Sequence, residues 1–278
     1  MLQTKQQLET VRRGRIRRMA ELRKHEALRV NLEKFIFSKV RAFIRKFGNT
    51  QSFLYREFGI FEPDVARSNL TDELFPIMDE HYRRCFVAVF KMNNEAYELS
   101  KKQENIEIVG RQVDIERFIA SYFATRQLFL SNVSNRIARQ IDRIIRQGRL
   151  DDKTLAEIAR DVSTAIAGIS TSRAALIART ETHSAISAAN HLYYGQVQQD
   201  YDIKMMKTWV STADARTRRE HRNANGQTVE MSEPFILAHP KLGSVRMQHV
   251  ADPAGGAYHS VNCRCVIIYA DESDVVLM

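Results

Sequence analysis

The stretch 204–226, KMMKTWVSTADARTRREHRNANG, is where the chain changes character. Its opening, Lys204–Ser211, is rich in β-formers and reads as a strand, and Asn225-Gly226 is the dipeptide favoured in tight hairpin turns. A second strand is expected at Val266–Tyr269, directly after Asn262-Cys263-Arg264-Cys265. Residues two apart in a strand share a face, so Lys207 and Trp209 point one way, as do Cys263 and Cys265. Three of the five prolines (Pro234, Pro240, Pro253) fall between the two strands, as do Gly255 and Gly256. The tail is therefore a small, loop-rich α+β domain.

The first two-thirds of the chain read as helix; before Leu32 the apolar pattern is thin and the charge dense, which fits a solvated helix, a partner-binding helix or a mobile arm. Leu32, Phe35, Ile36, Val40, Phe43, Ile44 and Phe47 recur every three or four positions and form one amphipathic stripe, with a stop expected at Gly48-Asn49. A second helix is expected to open at Thr71, a good N-cap followed by two acids. A third spans Ile115 to Arg146 and ends at Gly148. A short helix capped by Asp151-Asp152 runs to Ala167 and closes at Gly168, and another, capped by Ser170 or Ser172, reaches Gly195. The expected fold class is α+β: a mainly helical N-terminal two-thirds followed by a small α+β C-terminal domain. The expected divisions are a basic helical arm at 1–50, a helical body at 51–200 and the α+β domain at 201–278.

The charge is uneven. Residues 1–50 hold fourteen Lys/Arg against four acids, so the arm accounts for the whole formal charge of +9 and the other 228 residues are close to neutral. Arg12, Arg13, Arg15, Arg17, Arg18, Arg23 and Lys24 are the densest part of this arm and suit a polyanion or an acidic protein groove. The 44% hydrophobic content supports a real core and excludes global disorder. No run of 18 apolar residues predicts a membrane span, and no apolar segment follows the basic N-terminus as in a secretory signal. Three cysteines, two of them in one Cys-x-Cys, argue against a disulfide framework and fit a reducing cytoplasm.

Four groups could carry chemistry. Arg179-Thr180-Glu181 lies on the last long helix, where residues two apart do not face each other; Arg179 is expected to pair with the following domain and Glu181 to lie at the surface. Trp209 is expected to anchor the core of the small domain, and Asp214, four residues before Arg218, to pair with it or cap its turn. Cys263 and Cys265 could meet one zinc ion, with His221 as the first choice of further ligand and then His259, His249 or Asp214; the alternative is two buried, reduced thiols. The fourth group is the arm. Walker A, Gly-x-Gly-x-x-Gly, His-Glu-x-x-His and Gly-x-Ser-x-Gly motifs are absent from the sequence. His249, Asp252-Pro253 and Gly255-Gly256 loosely match a His-Asn-His nuclease, although the adjacent Asp-His pair is missing.

The ordered set resembles the phage Mu protein F-like family over roughly residues 172–270. Its members are head morphogenesis, or minor capsid, proteins of tailed double-stranded DNA phages. The matching positions are Arg179, Thr180, Glu181, Trp209, Asp214, Arg216, Thr217, Arg218, His221, Gly226, Asn262, Cys263, Arg264 and Cys265. The resemblance implies a virion protein of the capsid interior or portal vertex, present in host cytoplasm during assembly and without an established catalytic activity. Portal protein and major capsid or scaffold protein are its implied partners. Double-stranded DNA could contact the arm, and no membrane partner is implied. A metal-dependent nuclease and a DNA-binding packaging accessory protein are the competing readings.

Overall fold

A computed structural model describes residues 5–104, 115–212 and 214–272; for residues 5–19, 21, 22 and 96–104 it describes the helical backbone alone. Four long helices, α1 (Lys5–Phe58), α2 (Pro63–Glu104), α3 (Ile115–Leu150) and α4 (Leu155–Tyr201), precede a short-element region. That region consists of β1 (Met205–Val210), α5 (Arg219–Asn223), β2 (Thr228–Glu230), β3 (Phe235–His239), β4 (Gly243–Met247), a 3-10 turn Pro253–Gly255, α6 (Gly256–Ser260) and β5 (Val266–Asp271). The mainly helical two-thirds and the small α+β tail are both present. Among the described residues no helix is long and apolar enough to cross a membrane.

The helix ends differ from the sequence expectation, for one physical reason. A glycine after an apolar stripe predicts a helix stop, but Gly48 and Gly148 are contact residues. A Cβ on Gly48 would overlap the Ile166 side chain, and one on Gly148 would lie 2.5 Å from Ile158 Cγ1. Helices can approach that closely only where the side chain is absent, so α1 runs on through Gly48. Its true stop is Gly59, at φ +68°, whose N–H bonds Tyr55 O at 2.8 Å. The second helix opens at Pro63 rather than Thr71, since proline suits a first helical position. Thr154 caps α4 in place of Asp151-Asp152: Glu157 N donates to Thr154 Oγ1, and Thr154 N donates to Glu157 Oε2, a reciprocal capping box. Ser170 and Ser172 cap nothing. They lie inside α4 and bond the carbonyls of Ala167 and Ile169.

Gly168 sits exposed within α4, with nothing near its missing Cβ. Gly168→Ala is expected to stabilise the protein by about 0.5–1 kcal/mol through helix propensity. Gly48→Ala is expected to destabilise it by about 1–3 kcal/mol through overpacking. Midpoints of chemical denaturation of the two variants check both signs.

Two compact units are drawn from discontinuous segments. One takes residues 32–84 and 119–179, the other residues 1–31, 85–118 and 180–278. In the first, the 32–47 stripe is buried at Ile36, Val40, Phe43, Ile44 and Phe47, with Leu70, Leu74, Met78, Tyr82 and Ile141 in the same unit's core. Tyr82 meets Tyr122 edge-on at 5.0 Å, and Arg149 Nε donates to Tyr55 OH at 2.9 Å.

In the second unit β1 is the centre of a three-stranded antiparallel sheet, order β2-β1-β5, with Lys207 opposite Tyr269 and Trp209 opposite Ile267. β3 and β4 form a separate hairpin. Met205, Trp209, Phe235, Leu237, Met247, Ile267 and Tyr269 share one core with Cys263 and Cys265. The α4 segment 180–190 is buried at every position, on all sides of the helix. Seven of those residues are polar, so they need internal partners. Ser184 Oγ donates to Ala251 O at 2.9 Å, and Asn93 Nδ2 donates to Asn190 Oδ1 at 2.9 Å.

Candidate functional site

The site grows from the junction before β5. Asn262 takes a left-handed conformation, φ 56°, which Asn tolerates better than most residues. The chain turns there and then extends, so Cys263 and Cys265 both enter the core. Across from them, the short helix α5 presents His221. His221 Nδ1 lies 3.6 Å from Cys263 Sγ and 3.4 Å from Cys265 Sγ, and all three residues are buried. Their donor atoms lie within 4.8 Å of one another.

The other face of His221 is held. Its Nε2 is 3.0 Å from His259 Nδ1 on α6, and the two rings stack at 12°. Trp209 meets the His221 ring edge-on at 5.2 Å. Gly255 permits the close packing of α6, because a Cβ there would lie 2.7 Å from Met247 Sδ and 2.8 Å from His259 Cβ.

The remaining signature residues hold this junction. Asn262 N donates to Thr180 Oγ1 at 3.4 Å, and Arg218 Nη2 donates to Val261 O at 2.7 Å. Asp214 pairs with Arg264 at 2.6 Å, fifty residues on, while also accepting from Arg216 N and Thr217 Oγ1. This corrects the expected Asp214–Arg218 pair: the guanidinium of Arg218 is committed to Val261 O. Thr217 Oγ1 also donates to Thr212 O, and Thr212 Oγ1 donates to Arg264 O at 2.9 Å. Thr212 carries no signal in the sequence, because a lone Thr in a loop forms no motif. Gly226, at φ 81°, turns the chain into β2 and donates its N–H to Trp209 O at 2.8 Å. Glu181 is buried rather than at the surface, since the fully enclosed part of α4 has no solvent face. Arg179 is half-buried on the same helix.

Titration follows the geometry. The Cys263 thiol and the His221 imidazole hold the Cys265 thiol below its ordinary value, against burial. The Cys263 thiol is driven well up by its sulfur neighbour and by burial. The hydrogen bonds from Arg264 and Thr217 hold the Asp214 carboxyl low, at about 2, so the stabilisation from this carboxylate is complete above its unfolded value near 4 and is lost as pH falls toward 2. A second buried group, Lys207, donates from Nζ to Gln248 O at 2.9 Å and to Gln248 Oε1 at 2.6 Å; burial pushes its pKa down to about 8.

The other ligand candidates do not join the His/Cys group. His249 Nδ1 bonds Val250 O at 2.9 Å, and His259 faces the outer nitrogen of His221. Asp252 Oδ2 and Oδ1 accept from Gln248 N at 2.7 Å and Ala254 N at 2.9 Å, so the nuclease-like segment is tied into loop geometry. Arg23 and Lys24 are exposed, whereas the side chains of Arg12, Arg13, Arg15, Arg17 and Arg18 lie outside the described residues. Arg23 and Arg29 also line a cavity of about 780 Å³ with His183, Asn190, Arg264 and Tyr269.

Fold and site together define a helical protein with a small module whose motif residues converge on one buried thiol–imidazole centre. Residues 135–268, just under half of the chain, match the family described as Phage Mu protein F like protein. The match reaches further back than the motifs alone, into α3. Among curated proteins, the chain is 31% identical over 163 residues to the NAD(+)--arginine ADP-ribosyltransferase EFV of Enterococcus faecalis (strain ATCC 700802 / V583), covering 59% of this chain and 30% of that protein. It is 28% identical over 135 residues to the Minor head protein GP7 of Bacillus phage SPP1, covering 47% of this chain and 40% of that protein. The chain thus spans less than half the length of either relative. No solved structure matches it.

Proposed function

We propose that the chain is a minor capsid protein needed for phage head morphogenesis, acting at the portal vertex in procapsid assembly and in the packaging or delivery of DNA. The observation that carries this reading is the family match over 135–268, which contains the whole converging network from Thr180 to Cys265; the similarity to a phage minor head protein supports it. The proposed partners are portal protein and the major capsid or scaffold protein. The proposed location is the capsid interior or portal vertex, after assembly in host cytoplasm.

Co-production with portal, capsid and scaffold proteins tests this. The chain is expected to sediment with procapsids at a low, fixed ratio to portal, and its absence from purified heads would overturn the assignment. Deleting residues 1–30 assigns the arm. Loss of DNA binding with portal binding intact makes the arm a nucleic-acid element, whose log affinity should fall with log salt by about 0.9 per neutralised phosphate. Loss of procapsid incorporation makes it a protein-docking element.

The reading is non-enzymatic. The relative named as an ADP-ribosyltransferase supplies the specific competing activity, although the chain covers only 30% of it. Transfer of labelled ADP-ribose from NAD+ to free arginine by the purified chain would reverse this part of the reading. Magnesium-dependent nicking of DNA, abolished by His221→Ala or His249→Ala, would do the same.

A further inference from the structure

We propose that His221 Nδ1, Cys263 Sγ and Cys265 Sγ bind one zinc ion, which cross-links α5 to the start of β5. The proposal does not rest on the assignment to phage heads.

Three soft or borderline donors from two distant parts of the chain meet in one buried spot. Two thiolates and an imidazole select zinc over hard cations such as magnesium or calcium. With Zn–N near 2.0–2.1 Å and Zn–S near 2.3 Å, a tetrahedral site has N···S edges of about 3.5–3.6 Å. The observed His221–Cys separations are 3.4 and 3.6 Å, so both N···S edges already have the length such a tetrahedron requires, and all three donors lie within 4.8 Å of one another.

Hydrogen bonding alone explains the cluster less completely. His221 Nδ1 offers one lone pair or one N–H, and two sulfurs approach it at nearly equal distance. A metal ion satisfies all three at once. The outer nitrogen of His221 meets His259 Nδ1, the arrangement by which a neighbouring group fixes the ring and tautomer of a metal-bound histidine. Asn262, Thr180 and Arg218 fix the loop that delivers Cys263, so the ligand positions do not depend on the ion to bring them together.

Among the described residues no fourth side chain joins the donor group. Asp214 is paired with Arg264, and His259 is committed to His221. The fourth position is left to an oxygen ligand from outside this side-chain group. Its burial makes the centre a cross-link: it ties the helix after β1 to the last strand of a module built from short elements, the setting in which metal binding contributes most to folding.

The test uses the full chain purified from zinc-supplemented cells. One zinc per chain is expected by elemental analysis, and X-ray absorption should give two sulfur and two nitrogen or oxygen neighbours. Cobalt(II) exchanged into the wild-type protein should show a thiolate-to-metal charge-transfer band, and a strong chelator should lower the melting temperature. His259→Gln is expected to weaken zinc binding about 10- to 100-fold while leaving the three ligands in place. The Cys263→Ser/Cys265→Ser double variant should bind no zinc. A folded, metal-free wild-type chain with an unchanged melting curve in chelator would overturn the proposal. So would an intact mass showing a Cys263–Cys265 disulfide, or an absorption spectrum without sulfur neighbours.

Discussion

Lowering the pH from 6.5 toward 4 is expected to unfold the protein well above the pH at which carboxylates titrate. The main cause is three histidines stored as neutral rings, and His259, which burial and then the neighbouring His221, His239 and Arg218 hold at about 4, adds to them. Burial pushes His81 to about 3, His183 to about 3 and His191 to about 2; Arg84 adds to the shift at His81, Arg29 and His25 at His183, and His249 and Lys207 at His191. In the unfolded chain each regains a pKa near 6.5.

The sign follows from proton counting. Above about pH 6.5 neither state carries these protons, and the folded protein has its full stability. As pH falls below 6.5 the unfolded state binds four protons that the folded state refuses until about pH 4 or below, so stability drops throughout that window. At one proton per histidine the limiting slope is about 5 kcal/mol per pH unit. Two pH units then remove an amount comparable with the whole stability of an ordinary domain, about 5–15 kcal/mol. Guanidinium midpoints measured at pH 7, 6 and 5 should fall steeply. Fluorescence of the single tryptophan, Trp209, reports the small module directly. His183→Gln should remove about a quarter of the slope. Midpoints that stay level from pH 7 to pH 5 would refute the account.

The second large effect is expected from Trp209→Ala. Trp209 is fully buried near the C-terminal end of β1 and meets Phe235 edge-on at 5.4 Å and His221 at 5.2 Å. Truncating such a side chain removes its transfer free energy and leaves a cavity that neighbours on fixed strands cannot close. The cost is about 3–5 kcal/mol. In a module of short strands this is a large share of what holds it together. Trp209→Phe is expected to cost much less, because it keeps a ring against Phe235 and His221, and Trp209 Nε1 has no hydrogen-bond partner to lose among the described residues. Thermal unfolding followed by circular dichroism compares the two; equal losses for Ala and Phe would show that the ring contacts contribute little.

The same residue marks how far a sequence can be read. Trp209 in its strand, the shared face of Cys263 and Cys265, and the choice of His221 as their companion were all legible. Each follows from a period of two or from the scarcity of thiol and imidazole side chains. Helix existence was legible from the 32–47 stripe for the same reason: periodicity is a local property, written in adjacent residues.

Helix ends and ion pairs were not legible. Gly48, Gly148 and Gly168 look alike in sequence, yet two are contact points beneath Ile166 and Ile158 and one is merely exposed. Asp214 had a plausible partner four residues away and took one fifty residues away instead. Glu181 looked like a surface residue until the elements around α4 removed its solvent. Sequence alone determined the long helices, the strands β1 and β5 and which residue types can carry chemistry, because those depend on neighbours in the chain, whereas β3 and β4 form where the sequence predicts loops. Only the tertiary structure decided where helices stop, which charges pair and which donors converge, because those depend on groups brought close by packing across tens of residues.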